Sequence, residues 1–535
     1  MSLAQRLHEV QPLISQICSI TGAPGLSWGV QHADDIPMYG NIGYRDVEQK
    51  LPPTENTVYH IGSLTKLFTA AAAGVLVEEG TLDWNVPIQR YLPEFSVLDD
   101  ARIAREATLL DLLSHRTGLA QKLDIWLEGG NRLLLPKTET IRTVGYLEPV
   151  KPFRYQFQYN NWPYCLAGEV IERVHDQSYG SFISERIFEP LKLSQTVIDP
   201  ACNKVDEAAI AYMPLNDGTP VKIPSPNIAE GTLMVSAGGV RSCVKDLLRF
   251  YSTVLRSGVD QFKNSRTSTA GSPLKQLPVI LSGHTPVSSS SFLERSYAMG
   301  MVRVQLPGEL GDTGINGMFV ESMPVVDGNS SNPLVLYHLG SMPGFLSCAI
   351  IVPELEYVVV VLVNALAISD TADWVGQLLL QTILDSKTKN DYVHIAKESV
   401  KSALSFYGQV EADLARERVE GTSPRPLQEY CGTYWNLIEN LRLVISEANG
   451  ALHLSFQGLE SETYLLKHYS YDVFTWHVTR DEDVRRARFT VMDANFYKIK
   501  FAAGQDGSID QLIWAHEPDL PSGEVFKKRP LKSSI

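Results

Sequence analysis

The chain has 535 residues, 44% of them hydrophobic and 20% charged, with a formal net charge of −14. That length suits two or three domains around a large core, and the composition is ordinary for a globular protein. The acidic balance argues against nucleic acid or anionic membrane as a partner, because phosphate neutralisation needs clustered Lys and Arg.

Apolar residues at Leu3, Leu7, Val10, Leu13, Ile14 and Ile17 predict a first helix over Ser2 to Ile20, broken by Gly22, Pro24 and Gly25. Leu26 to Val30 and Met38 to Tyr44 read as strands joined by a polar turn. A polar loop, Asp46 to Thr57, then leads to Tyr59-His60-Ile61-Gly62-Ser63-Leu64-Thr65-Lys66. The Ala-, Leu- and Glu-rich run after it, stopped by Gly80, predicts a buried helix with Ser63 in its first turn. Lys66, three residues on, shares that face. Ser-x-x-Lys also occurs at Ser242/Lys245, Ser272/Lys275 and Ser386/Lys389, where it reads as an N-cap and a solvated lysine. At a helix start, unpaired N–H groups carry partial positive charge. There the same spacing makes a nucleophile with a nearby base.

Thr108 caps a short helix that Gly118 ends, and His115 within it reads as a structural side chain tied to neighbouring loops. Helices are expected over Tyr164 to Val174, Tyr179 to Phe188 and Val244 to Leu255. The Ser/Thr/Pro-rich stretch from Gly258 to Ser291 reads as a long mobile insertion. Tyr297 to Gln305, Leu334 to Leu339, Phe345 to Val352 and Tyr357 to Val363 read as strands, so a helix-flanked antiparallel sheet is expected. Asp370 to Glu420 is helical in pattern, and Gly421 to Pro426 is a linker.

Beyond it, seven short strands are expected, at Leu441 to Ile445, Leu452 to Phe456, Tyr464 to Leu466, Val473 to Val478, Phe489 to Val491, Tyr497 to Phe501 and Gln511 to Trp514. That is the pattern of a small β-barrel or sandwich. Asp481-Glu482-Asp483, followed by Arg485-Arg486-Ala487-Arg488, reads as a solvated hairpin with paired charges.

Six scattered cysteines form no Cys-x-x-Cys pair, and no zinc-ligand spacing occurs, so a metal site is not expected. Several lie in apolar surroundings, as reduced core thiols do. The N-terminus has no apolar signal region and no run is long enough to span a membrane, so a cytoplasmic location is the expectation.

Two further segments join Ser63 and Lys66. Tyr159-Asn160-Asn161 lies where a loop becomes a helix. A tyrosine, with an ordinary pKa of about 10, acts as a base only where cations stabilise its phenolate, and Lys66 is a candidate cation. A carboxamide beside it can orient that lysine or a substrate carbonyl. His338-Leu339-Gly340-Ser341 closes one strand, with Gly340 expected to admit a substrate backbone to the strand edge and His338 to add a donor or positive charge.

Together these residues resemble the serine β-lactamase-like family of class C β-lactamases, DD-peptidases, D-aminopeptidases and related esterases and acyltransferases. The likeness covers roughly residues 10 to 380. It rests on Ile61 to Lys66, Leu76 to Asp83, Tyr91 to Phe95, Leu112 to Leu119, Phe157 to Asn161, Ala237 to Val240, His338 to Gly340 and Leu362 to Asn364, in the family's order.

The resemblance implies an α/β fold, in which an antiparallel sheet flanked by helices sits beside an all-α subdomain with the site between them. It implies Ser63 as the acylated nucleophile, with Lys66 and Tyr159 sharing proton transfer in a division the sequence leaves open. Asn161 would position Lys66 or the substrate, and the N–H groups of Ser63 and Ser341 would form an oxyanion hole. His338 stands where many β-lactamases have the lysine of Lys-Thr-Gly. Esterase, peptidase or acyltransferase activity therefore ranks above true β-lactamase activity.

The C-terminal part, through Tyr430 to Trp435, resembles the lipocalin-like barrel appended to some members. The expected organisation is a catalytic domain over 1–385, a helical segment and linker over 386–425 and a barrel over 426–535. The expected function is cofactor-free hydrolysis of an ester, thioester or amide, with a small-molecule or peptide acyl substrate. Acyl transfer to an alcohol or amine, or a non-catalytic binding protein, are the alternatives. Oligomeric state is left open.

Overall fold

The computed structural model describes residues 2–198, 207–287, 291–328 and 331–529. The first helix, α1 (Leu3–Thr21), begins in a capping box between Ser2 and Gln5 and ends at Gly22, whose φ of 76° suits a residue without a Cβ. Eight strands then build one antiparallel sheet. They are β1 (Gly25–His32), β2 (Met38–Gly43), β3 (Thr285–Pro286), β4 (Arg295–Tyr297), β5 (Val302–Gln305), β6 (Leu334–Met342), β7 (Phe345–Val352) and β8 (Tyr357–Val363), in the spatial order β2-β1-β8-β7-β6-β5-β4-β3. The first strand β1 pairs with the last strand β8 one place in from the β2 edge, so the N-terminal hairpin completes a sheet made mostly by residues far along the chain.

Register shows what covers each face. Gly29 pairs with Val360 and Cys348 with Val361, and successive strand residues point to opposite faces. A Cβ on Gly29 would meet Val244 and Leu248 of α5 (Val244–Lys263), while Gly376 of α6 (Thr371–Leu384) lies against the Cys348 sulfur. Helices therefore cover both faces, which is why β8 reads as an unbroken apolar run rather than an alternating one. Helix α1 packs on α6, and α7 (Tyr392–Glu417) packs on both.

The all-α part contains α2 (Thr65–Glu78), α3 (Leu109–Leu113) and α4 (Trp162–His175). Thr65 to Leu76 of α2 is buried throughout, its four consecutive alanines letting neighbours approach closely. A 3-10 turn, Gly62–Leu64, precedes α2 and rests on β6 and β7. Ser63 thus sits at the seam between sheet and helices.

The C-terminal part is a closed eight-stranded barrel: β9 (Gly432–Trp435), β10 (Arg442–Ala448), β11 (Ala451–Phe456), β12 (Thr463–Ser470), β13 (Val473–Thr475), β14 (Lys498–Ala503), β15 (Ile509–Trp514) and β16 (Glu524–Arg529). Its interior is filled by aromatic rings, with Trp476 and Trp514 fully buried beside Phe456 and Phe496. It docks on the all-α part through a buried ion pair. Lys122 Nζ lies 2.9 Å from Glu524 Oε2, which also takes a bond from His516 Nε2 at 2.9 Å.

Several expectations are corrected. The stretch from 258 to 287 is not a mobile insertion: α5 runs on to Lys263, and Leu274, Leu277 and Ile280 are fully buried (residues 288–290 fall outside the description). The single strand expected over Tyr297 to Gln305 is two, because Gly300, at φ 86°, turns the chain against the Lys66-Leu67 backbone. No strand forms at Phe489 to Val491. The acidic-basic run is α8 (Arg480–Arg485), capped by Thr479, and Arg488 beyond it is buried against Tyr464 and Trp476 rather than solvated.

Candidate active site

Ser63 Oγ has two close partners. Lys66 Nζ lies 2.9 Å away and the Tyr159 hydroxyl, donating, 2.7 Å away. Lys66 is fully buried, and its nitrogen also reaches Asn161 Oδ1 at 2.8 Å and the Ala237 carbonyl at 3.2 Å. Burial brings its pKa down to about 7, against a smaller upward pull from the Cys165 thiol. Tyr159 moves the opposite way. Burial pushes its phenol well above the ordinary value, against the opposing effect of the Ser63 bond. Lys66 Nζ sits 4.9 Å from the Tyr159 ring centre rather than on its oxygen. Burial thus favours a Tyr159 phenol that keeps its proton and a Lys66 amine that can be neutral.

The hydrogen-bond directions fit that division. As a neutral amine, Lys66 has two N–H groups and one lone pair. Asn161 and Ala237 accept the two N–H groups, leaving the lone pair at Ser63. Tyr159 donates to Ser63 Oγ, so the serine proton is free to point at that lone pair. The local sequence explains the placement: Ser63 and Lys66 lie one turn apart at the start of α2, while Asn161 is the N-cap of α4 with Tyr159 two residues before it.

On the other side of Ser63 lies β6. Strand β5 stops pairing at Val302 with Tyr337, so the edge from His338 to Met342 is unpaired on that side. The Leu339 N–H on this edge goes to Thr313 Oγ1 at 3.2 Å. The Ser341 N–H, two residues on, faces the same way, as alternation along a strand requires. A Cβ on Gly62 would be 3.4 Å from Ser341 N, and one on Gly340 would be 3.1 Å from Ser63 N, so the Ser63 turn and the Ser341 strand edge lie side by side. Ser63, Tyr159, Asn161 and Ser341 keep some exposure, whereas Lys66, His338 and Gly340 are buried.

Residues 10–381 match the model of the family described as Beta-lactamase. The chain belongs to the beta-lactamase family. Residues 416–528 match a second model, a domain of unknown function (DUF3471). An unguisins hydrolase of Aspergillus campestris is 23% identical over 502 residues, spanning 89% of this chain and 83% of its own length. Among solved structures, the octameric penicillin-binding protein homologue from Pyrococcus abyssi is similar with a TM-score of 0.57 at 20% identity, covering 97% of this chain and all of that one. A class C beta lactamase from Rhodobacter sphaeroides gives a TM-score of 0.51 at 22% identity over 75% of this chain and 97% of its own. These two show the shared fold.

Within this beta-lactamase-family site, two sequence expectations change. His338 brings no positive charge: burial first, then the neighbouring Lys66, lower its pKa to about 3. Its Nδ1–H donates to the Leu339 carbonyl at 2.6 Å, so Nε2 accepts from the Tyr297 hydroxyl at 3.0 Å. Gly340 makes room for protein rather than for substrate. A Cβ there would stand 2.4 Å from the Ile61 carbonyl oxygen, which Ser347 Oγ holds at 2.8 Å.

Sequence reasoning gave no role to the Ala237 carbonyl, Thr313, Tyr297 or Ser347. Ala237 lies in one of the family-like motifs and Tyr297 and Ser347 lie in expected strands, but none of the four carries a local signal for the site. Among the described residues no group of three or more His, Cys, Asp or Glu side chains is arranged to hold a metal, and no helix is long and apolar enough to cross a membrane.

Proposed function

We propose that the protein is a serine hydrolase that acts through an acyl-enzyme on Ser63, cleaving an ester, thioester or amide. The observation that carries this reading is Ser63 Oγ held between Lys66 Nζ at 2.9 Å and the Tyr159 hydroxyl at 2.7 Å, with the lysine brought down to about 7. Neutral Lys66 takes the Ser63 proton as Oγ bonds to the acyl carbon. The resulting oxyanion is met by the N–H groups of Ser63 and Ser341. When the intermediate collapses, the Tyr159 hydroxyl gives its proton to the leaving group, and the Lys66 ammonium returns the proton taken from Ser63 to the Tyr159 oxygen, so both groups end as they began. Water then attacks the acyl-enzyme by the same route, releasing the acid and restoring Ser63.

The neutral His338 offers no permanent cation for a substrate carboxylate, which supports substrates without an obligatory one beside the scissile bond. Hydrolysis, rather than transfer, is supported by the relative named as a hydrolase that spans most of both chains. Incubation with p-nitrophenyl esters, thioesters and D-amino-acid amides, followed by mass spectrometry, should give an acyl adduct on Ser63 and free acid as product. An adduct that persists in Ser63→Ala, or the absence of any turnover across all three classes, would sink the proposal.

A further inference from the structure

Tyr159 lies on an irregular loop, and a loop tyrosine whose oxygen must stay 2.7 Å from Ser63 needs something to fix it. The Asn160 carboxamide anchors the loop after Tyr159, donating to the Leu119 and Ala120 carbonyls, and His115 holds it on both sides. Its carbonyl accepts the N–H of Gln158 at 2.9 Å, and its Nδ1 accepts the N–H of Asn160 at 3.1 Å. The amides on either side of Tyr159 are thus both tied to His115. The imidazole also lies over the Tyr159 ring, with centres 4.4 Å apart. His115 can do all three because its backbone is left-handed, at φ 55°, which turns carbonyl and side chain toward the same loop.

The ring's protonation is fixed by the same contacts. Nδ1 accepts an N–H, so the proton is on Nε2, and Nε2 is buried without a hydrogen-bond partner. The groups that face the ring are Tyr159, Tyr164, Tyr297 and Phe157, with Lys66 and His338 acting on it electrostatically. None is an anion. A cationic His115 would lose the Asn160 bond and stand as a second positive charge near Lys66.

We propose that His115 is a positioning residue for the proposed acyl-transfer reaction: it clamps the backbone on both sides of Tyr159 and so holds the Tyr159 hydroxyl on Ser63 Oγ. This goes beyond a general role in tying loops together, and it rests on the serine-hydrolase reading.

The test compares two replacements that both accept a left-handed backbone. Asn tolerates positive φ and carries a side-chain oxygen where Nδ1 stands, whereas Gly tolerates it and carries no acceptor. Each is made in the wild-type and in the Tyr159→Phe background. Ser63 acylation by a p-nitrophenyl ester is timed, and thermal melting is followed in parallel.

His115→Gly should slow acylation by about 10- to 100-fold, the order expected when a reacting group is misplaced by about 1 Å, while His115→Asn recovers most of the rate. In the Tyr159→Phe background His115→Gly should cause little further loss. Equal losses for Asn and Gly, or a full additional loss in the Tyr159→Phe background, would overturn the clamp. Wild-type protein that never acylates would instead overturn the serine-hydrolase reading, so the two failures are distinguishable.

Discussion

Replacing Gly340 with alanine adds one methyl group at the tightest contact beneath Ser63. The new Cβ would stand 2.4 Å from the Ile61 carbonyl oxygen, 2.4 Å from Ser347 Oγ and 3.1 Å from Ser63 N. An ordinary contact needs about 1 Å more than the first two allow. Ser347 can rotate away, although it then abandons the Ile61 carbonyl it holds at 2.8 Å. The Ile61 carbonyl is backbone, two residues before Ser63, and moves only if the 3-10 turn moves. The relief is therefore a shift of the turn off β6, which widens the space between the Ser63 and Ser341 N–H groups. A 1 Å error at the reacting atoms costs about 100-fold in rate, or roughly 2.7 kcal/mol of transition-state stabilisation. Overpacking of this kind costs about 1–3 kcal/mol in stability. Stopped-flow acylation by a p-nitrophenyl ester, beside a thermal melt, reads both quantities. Acylation in Gly340→Ala within about threefold of wild type would refute the view that Gly340 sets the seat of Ser63.

Other outcomes follow from the titrating groups and the barrel contact. The rate of Ser63 acylation should rise with pH through about 7, where Lys66 loses its proton, and level off above; a rate flat across that range would remove Lys66 as the base. Because the folded pKa of Lys66 lies below its ordinary 10.5, the unfolded chain binds more protons between these values, so this group makes stability rise with pH across that window. Glu524→Gln removes one of the two carboxylates on the buried Lys122 ammonium, leaving Glu148 at 2.8 Å, and should cost about 1–3 kcal/mol at pH 7 by denaturant titration, less than a fully orphaned charge would. Glu524 is held down at about 2 against an ordinary 4.5, so its contribution is complete above 4.5 and is lost as pH falls toward 2. The gap between wild type and variant should close over that interval, and a gap that stays constant would count against the pair.

What the sequence carried was local. Ser63 and Lys66 are one helical turn apart, and Asn161 caps a helix with Tyr159 two residues before it, so their placement follows from short-range geometry. The charge of His338 was not legible because it depends on burial and on Lys66, which the fold brings from elsewhere. The purpose of Gly340 was hidden for the same reason, since its close neighbour is Ile61. Composition misled where polar residues surround a few apolar ones. Leu274, Leu277 and Ile280 enter the core from within a Ser/Thr/Pro-rich stretch. Strand β16 escaped notice because only Phe526 gives its inward face an apolar signal, while Glu524 on that face is buried by its bond to Lys122.

The Lys122–Glu524 bond joins residues 402 positions apart. At a synthesis rate of about 5–20 residues per second, roughly 20–80 s separate the appearance of one partner from the other. During that interval Ser63, Lys66, Tyr159 and His115 all exist, but the helical subdomain beside them still carries an ammonium with no partner from the barrel. This contact between the two parts therefore cannot form until strand β16 has been made.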